Sequence, residues 1–444
     1  MDVPRHFCIA PWVSLSTRAG GEARPCCVIG PDGFARDSQN KILNLNETPL
    51  EEVWNSKSFR NLRKEFIEGH KPAACDFCFN LEKLGKSSHR KNNYRQWDSE
   101  KVFRQMTESE RETGYCGRPP VDLDLRLGNA CNAKCRSCFS DNSELLHKER
   151  QQIVKTANDL QNTEAMRWIE GDVNKAKDYS FLWYVDAPLM QDFKTLRLDR
   201  ISLYGGEPTI HPEAKKLIFD MIESGAAEQT VLKIVTNGAV LNKLWLSAFE
   251  KFKNTILVLS LDAVGEHANF LRYPLRWDRI EKNLAEVLDS VAFKNRKIQI
   301  SISYTVQMSN ILSLTELYDW YARWLRRDVF QSERSLESKF RLHWNALHDP
   351  YFLSLSGAPE PLKTEAMAKL EKYRWIDRHQ TGTIESLIQF IRSHNFDPSA
   401  LREFLHYTSI VDRQRKQSFK ETFPALFSFL SGEAFRSQQR PSPS

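Results

Sequence analysis

The sequence predicts an α/β protein built on a parallel sheet, and three observations predict it. Six short segments read as strands: VDLDLRL (121–127), RISLYGG (200–206), TVLKIVT (230–236), ILVLSLD (256–262), KIQISISYTV (297–306) and FRLHWNAL (340–347). Helical patterns such as EAKKLIFDMIES (213–224) and WDRIEKNLAEVLDSV (277–291) lie between them. Strand alternating with helix implies a parallel sheet with right-handed crossovers. Glycines and polar residues stand just past several strand ends, where such sheets collect functional side chains.

The bulk numbers agree with a globular protein of two or three domains: 444 residues, 41% hydrophobic and 27% charged. The net charge of +6 comes from 63 basic and 57 acidic residues spread along the chain. The local basic runs KLGKSSHRKNNYR (83–95) and DRQRKQSFK (412–420) read as solvated surface, which argues against a nucleic-acid partner. The opening MDVPRHFCIAPW has no basic region followed by an apolar run, so no secretory signal is expected. No stretch approaches the length of a membrane span, so a cytoplasmic protein without a membrane partner is expected. Nine cysteines in a reducing compartment point to metal binding or catalysis rather than disulfides.

Texture divides the chain at about residues 115 and 350. Residues 1–115 hold five cysteines and few long apolar runs. There TPLE (48–51) predicts a capping box, with Thr48 as N-cap and Glu51 three residues on. The apolar positions Val53, Trp54, Phe59, Leu62, Phe66 and Ile67 continue it as one or two short helices, stopped by Gly69. In the middle region, 116–350, the polar stretch 143–178 is the longest insertion and reads as a helical lid or surface elaboration. Trp320 and Trp324, at i and i+4, read as core, and His211 as a solvated residue at a helix N-terminus. Residues 351–444 form a helical cap: FLHYTSI and FKETFPALFSFL read as an amphipathic cover, and RSQQRPSPS (436–444) as a disordered tail.

Cys131, Cys135 and Cys138 follow the first of the six strands in a C-x3-C-x2-C loop. Such a loop can wrap three thiolates around three corners of a [4Fe–4S] cubane and leave the fourth iron open. A partial zinc site or three unrelated thiols are the alternatives. The next strand ends in LYGGEPTIHPE (203–213), where two glycines let backbone approach a ligand closely and Glu207 suits an ammonium group. The cysteine loop and this GGEP turn, one crossover apart, resemble the radical SAM superfamily.

That resemblance implies the fold of the middle region, a partial (β/α)6, TIM-like barrel, and its chemistry. S-adenosylmethionine binds the open iron through its amine and carboxylate. An electron from the cluster cleaves it to methionine and a 5′-deoxyadenosyl radical, which takes a hydrogen atom from substrate. Cys131, Cys135 and Cys138 are then the catalytic cluster ligands. Gly205, Gly206, Glu207 and Pro208 form the SAM-binding turn, with Glu207 on the amine. VTNG (235–238), SLD (260–262) and SIS (301–303) add Asn237, Ser260, Asp262 and Ser303 as SAM-binding candidates, against turn chemistry or satisfied strand polarity. Many superfamily members carry an aromatic residue just before the third cysteine; here Ser137 stands there and Phe139 follows, so no adenine contact is assigned.

The N-terminal cysteines form a second group. Cys8, Cys26, Cys75 and Cys78 offer four thiolates, two of them in C-x2-C, which suits either a four-cysteine zinc site or an iron–sulfur cluster. Cys27 is a rival for Cys26. Cys8, Gly21 and Cys26 resemble the Cys…Gly-x4-Cys pattern of SPASM and twitch domains, which accompany radical SAM barrels and hold auxiliary [4Fe–4S] clusters. Too few cysteines remain for two clusters, so the segment resembles the twitch type with one. It precedes the barrel, the reverse of the usual order, as in phage and environmental members. Cys27 and Cys116 otherwise read as small buried residues. A zinc knuckle that only stabilises the fold is the alternative.

The expectation is a radical SAM enzyme acting on a peptide or protein, with an electron donor such as flavodoxin or ferredoxin. A superfamily enzyme acting on a nucleotide, sugar or cofactor precursor is the first alternative. A zinc-binding nucleic-acid module is the second.

Overall fold

The computed structural model describes residues 2–83, 87–156, 163–177, 196–378 and 382–438. Part of the polar insertion (157–162 and 178) and the last six residues of the expected tail lie outside the described residues. All six expected strands form: β3 Asp122–Arg126, β4 Arg200–Tyr204, β5 Val231–Thr236, β6 Asn254–Ser260, β7 Ile298–Val306 and β8 Phe340–Ala346. Two more precede them, β1 Ser14–Thr17 and β2 Ala23–Arg24. The strands follow one another in the order β2-β1-β3-β4-β5-β6-β7-β8. From β3 onward that order is sequential, with no reversal, as in a TIM-like winding and unlike a doubly wound sheet.

Contacts divide the chain into two compact units. The first holds residues 1–129, 178–234 and 247–255. In it β1 pairs with β2 antiparallel, and β1–β3, β3–β4 and β4–β5 pair in parallel. β1 is SLST, four residues without apolar alternation, so sequence periodicity could not show it. It forms because its backbone groups complete the ladder of β3.

The first unit's sheet is two-faced. Leu123, Leu125, Ile201, Leu203, Leu232 and Ile234 point one way and are fully buried. The alternate residues Asp122, Asp124, Arg126, Ser202, Tyr204 and Lys233 point the other way. Parallel sheets buried on both faces read as continuous apolar runs. The alternation already visible in VDLDLRL therefore marks a sheet with one polar face.

The helices between the N-terminal cysteines run Leu50–Trp54 and Lys57–Ile67, and Gly69 ends the second in a left-handed conformation at φ 80°. The expected capping box at Thr48 does not form: Pro49 takes the N-cap position in an extended conformation, without a side-chain cap. A full capping box forms instead between Thr107 and Glu110. Arg63 stitches this region together. It is buried, lies over the Trp54 ring at 4.6 Å, and donates to the carbonyls of Pro11, Trp54 and Gly114 at 2.8, 2.9 and 3.1 Å. Burial lowers its pKa to about 10, so it stays charged at neutral pH and satisfies carbonyls that would otherwise be orphaned.

The second unit holds residues 130–177, 235–246 and 256–444. There β7 and β8 pair in parallel from Ile300 to Val306. Trp320 and Trp324 are buried on the helix Leu314–Leu325, their rings 5.9 Å apart, and Trp277 packs edge-on against Trp320 at 5.3 Å. The insertion forms the helices Glu144–Thr156 and Glu164–Lys175, which bury Leu146, Ile153, Met166 and Ile169. It is part of this unit's core. The C-terminal segment is helical as expected, but its last helix runs Pro424–Gln438 and takes in the first residues of the supposed tail.

Candidate functional site

In the second unit the three-cysteine loop is irregular, so its shape depends on what holds its backbone. On one side, Lys134 N–H donates to the Tyr273 carbonyl at 2.6 Å and Arg136 N–H to the Leu271 carbonyl at 3.0 Å. On the other side stands the helix Pro398–Arg415. Its Tyr407 hydroxyl donates to the Arg136 carbonyl at 2.5 Å, and Arg415 donates to the Lys134 carbonyl at 2.6 Å. Asp412 takes the Arg136 guanidinium at 2.5 Å, and that guanidinium lies over the Phe270 ring at 3.7 Å. Glu149 closes the clamp, accepting from Arg415 at 2.6 Å and Lys134 at 2.7 Å. The basic run at 412–420 is thus corrected: its Arg415 is buried in an ion pair, and Asp412 accepts hydrogen bonds rather than facing solvent alone.

Within the loop, Cys138 N–H donates to the Cys135 carbonyl at 3.1 Å. Burial pushes the Cys138 thiol up to about 12 and also raises that of Cys135. Cys135 Sγ accepts from Arg272 at 3.7 Å, so one cation already faces it. Arg272 is in turn held by Asp262 at 2.9 Å, while the other Asp262 oxygen accepts from Thr305 N–H at 2.9 Å. Both carboxylate oxygens of Asp262 are therefore engaged, which makes it a positioner of Arg272. Asn237 donates to Asn132, inside the cysteine loop, at 2.7 Å. Ser303 Oγ accepts from Asn345 at 2.9 Å, and Ser260 is the half-buried last residue of β6.

In the first unit, β3 and β4 run in register to Arg126 and Tyr204. The chain leaves β4 through Gly205 and Gly206, at φ 78° and 54°. A Cβ on Gly205 would sit 3.1 Å from Cβ of Arg126, so both conformation and space require glycine. Glu207 is buried, and its Oε1 accepts from Thr209 N–H and hydroxyl at 3.1 and 2.6 Å. Pro208 follows it in the turn. His211 is buried rather than solvated: its ring packs under Gly128, whose φ is 140° and where a Cβ would lie 2.6 Å from Nε2. Burial lowers its pKa. Its position at a helix N-terminus gave the sequence no signal for this.

The N-terminal thiols also lie in the first unit. Cys75 ends a short turn, Cys78 sits one helical turn on in the helix Asp76–Lys83, and Gly30 N–H donates to the Ala74 carbonyl at 2.8 Å, tying the Cys26 loop to Cys75. Burial raises the thiols of Cys8 (to about 12), Cys26 and Cys75, and mutual repulsion adds to it: Cys26 feels Cys8, Cys27 and Cys75, and Cys75 feels Cys8 and Cys78. Cys27 feels Asp124, Arg126, Arg24 and Lys233 after its own burial. Adjacent in sequence, Cys26 and Cys27 thus face different surroundings. Cys116 is buried and donates to the Arg118 carbonyl at 3.4 Å. Every cysteine is a free thiol. Among the described residues, no three Cys, His, Asp or Glu side chains converge closely enough to hold a single metal ion.

Residues 8–80 match the profile of the SPASM family, an iron–sulfur cluster-binding domain. This N-terminal segment, with Cys8, Cys26, Cys27, Cys75 and Cys78, is therefore similar to domains of that kind. No curated protein matches the chain. Among solved structures, native anSMEcpe with bound AdoMet and Cp18Cys peptide is 17% identical, with a TM-score of 0.33 over 57% of this chain and 58% of that one. SuiB of Streptococcus suis bound to S-adenosylmethionine is 17% identical, with a TM-score of 0.34 over 78% of this chain and 64% of that one. The chain spans less than two thirds of the length of either, and TM-scores this low carry no weight for its activity. No helix among the described residues is long and apolar enough to cross a membrane.

Proposed function

We propose that this chain is a radical SAM enzyme that modifies a peptide or protein, with an auxiliary cluster in its N-terminal domain. The observation that carries the reading is the cysteine loop: three thiols in a loop clamped at the backbone from two sides, following one strand, with a Gly-Gly-Glu-Pro turn after the next strand in sequence. The donor set fits a [4Fe–4S] cluster, because three soft thiolates suit iron–sulfur ligation and leave one iron for an outside ligand. Thiols raised by burial lose their protons when a cation arrives, so such a site gains its charge balance on loading.

When bound, the cluster and S-adenosylmethionine supply a 5′-deoxyadenosyl radical that abstracts hydrogen from substrate. The chain's own part is to bind and orient. Cys131, Cys135 and Cys138 hold the cluster, and Arg272 donates to the Cys135 sulfur and offsets thiolate charge. Gly205, Gly206 and Pro208 shape the turn that presents Glu207 to the SAM amine. Asn237, Ser260 and Ser303 are the remaining polar groups offered to SAM, and Asp262 acts through Arg272. Cys8, Cys26, Cys75 and Cys78 hold the auxiliary cluster. A flavodoxin or ferredoxin supplies the electron. The division into domains at 115 and 350, and a cytoplasmic setting that keeps free thiols reduced, belong to the same proposal.

The test is anaerobic reconstitution with SAM and a strong reductant. Wild type should make 5′-deoxyadenosine and hold about eight irons; the Cys131/Cys135/Cys138→Ala variant should make none and hold about four. A colourless wild-type protein with stoichiometric zinc and no iron overturns the proposal.

A further inference from the structure

The polar face of the first unit's sheet carries a row of side chains set abreast by strand register. Arg24 on β2 stands opposite Ser16 on β1, and Ser16 opposite Asp124 on β3. Asp124 stands opposite Ser202 on β4, and Ser202 opposite Lys233 on β5. Residues directly opposite one another project to the same face, so five strands contribute one polar residue each to a single row. Arg126 and Tyr204, two residues on, are paired in the same way. The Arg126 guanidinium and Lys233 ammonium lie 5.6 and 5.4 Å from the Tyr204 ring centre.

This row does not satisfy itself. Among the described residues, Ser16 Oγ, Asp124 Oδ1 and Arg24 Nε are buried without a hydrogen-bond partner, and Ser16 is 1% and Arg24 6% exposed. By contrast Asp122 and Arg200, at the start of the same strands, take each other at 2.8 and 2.5 Å. An unmet buried polar group is costly, and three of them on one row mark a surface made for a polar ligand. Arg24, Arg126 and Lys233 outnumber Asp124, so the row is cationic. Asp124, Arg126, Tyr204 and Lys233 are only half-buried, which leaves it reachable.

We propose that this row is a carboxylate-binding subsite for the substrate: Arg24, Arg126 and Lys233 take an acidic side chain or chain terminus, and Asp124 accepts an N–H from the group next to it. The inference deepens the peptide-modifying reading and rests on it.

The test is binding of N-acetylglutamate against N-acetylglutaminamide, which has no carboxylate, to the anaerobically purified full-length holoprotein, by calorimetry. Wild type should prefer the glutamate by about tenfold or more, the scale of one charge-assisted contact. Arg24→Gln should abolish the preference, and Asp124→Asn should tighten glutamate binding by removing the one opposing charge. If Arg24→Gln fails to fold, Lys233→Met gives the same readout. Equal binding of both probes by wild type, no binding of either, or weaker glutamate binding by Asp124→Asn overturns the subsite. Competition by saturating SAM also overturns it, since the row would then hold the SAM carboxylate. These outcomes need no SAM cleavage, so a missing 5′-deoxyadenosine signal is a separate failure, that of the radical reading.

Discussion

Replacing Arg415 with alanine should loosen the three-cysteine loop from a distance. Its guanidinium donates to the Lys134 carbonyl at 2.6 Å and grips Glu149 through Nε and Nη2 at 2.6–3.2 Å. Glu149 is buried, and although burial alone would raise its pKa, Arg415 and Lys134 outweigh that and hold the carboxyl below its ordinary value. Removing one partner of a buried pair costs about 3–5 kcal/mol. Lys134 remains on Glu149 at 2.7 Å, so a loss below that range, about 2–3 kcal/mol, is expected. That corresponds to roughly 30- to 150-fold in the population of unclamped loop. After anaerobic reconstitution, a chelator should strip iron from the variant faster than from wild type, with about four of the irons affected. Arg415→Lys keeps the charge but not the fork and should fall between. Unchanged chelation kinetics together with an unchanged melting midpoint would refute the clamp.

Three further outcomes are expected. Gly205→Ala places a side chain at φ 78° and 3.1 Å from Arg126 Cβ; denaturant unfolding should show a loss of about 1–2 kcal/mol, and an unaltered midpoint contradicts the strained turn. Cys26→Ser should remove the auxiliary cluster's iron while Cys27→Ser retains it, because Cys26 feels the charge of Cys8 and Cys75 whereas Cys27 faces Asp124, Arg126, Arg24 and Lys233; iron analysis of the two variants decides, and equal loss refutes it. His267 is lowered by burial but raised more by Glu316 at 2.8 Å and by the Thr422 carbonyl at 2.9 Å, so its pKa in the fold lies above the ordinary 6.5. A raised pKa stabilises the fold fully below 6.5 and loses that contribution as pH rises through the folded value. Melting temperature should therefore fall from pH 6.5 upward, and His267→Gln should flatten the slope; parallel profiles for the two proteins would sink this account.

The strands β3 to β8 were legible because each is long enough for period-two alternation to show, and in each the apolar set is the one the structure buries. β1 and β2 were not, being two to four residues long and formed only by pairing with partners elsewhere. The capping box at Thr48 failed because the motif fixes residue types and not the extended backbone that Pro49 adopts. His211 looked solvated because nothing local tells of the Gly128 turn, 83 residues earlier, that covers it.

The sequence by itself determined the α/β class, the cysteine loop after a strand, the GGEP turn and the four N-terminal thiols, because each is written in residues close together in the chain. Tertiary structure alone set the different surroundings of Cys26 and Cys27. It also decided that Asp262 holds Arg272, and that Tyr407, Asp412 and Arg415 clamp a loop some 270 residues before them. The row from Arg24 to Lys233 belongs to the same class. Its members come from five separate strands, and only strand register brings them abreast, a long-range quantity that no local pattern encodes.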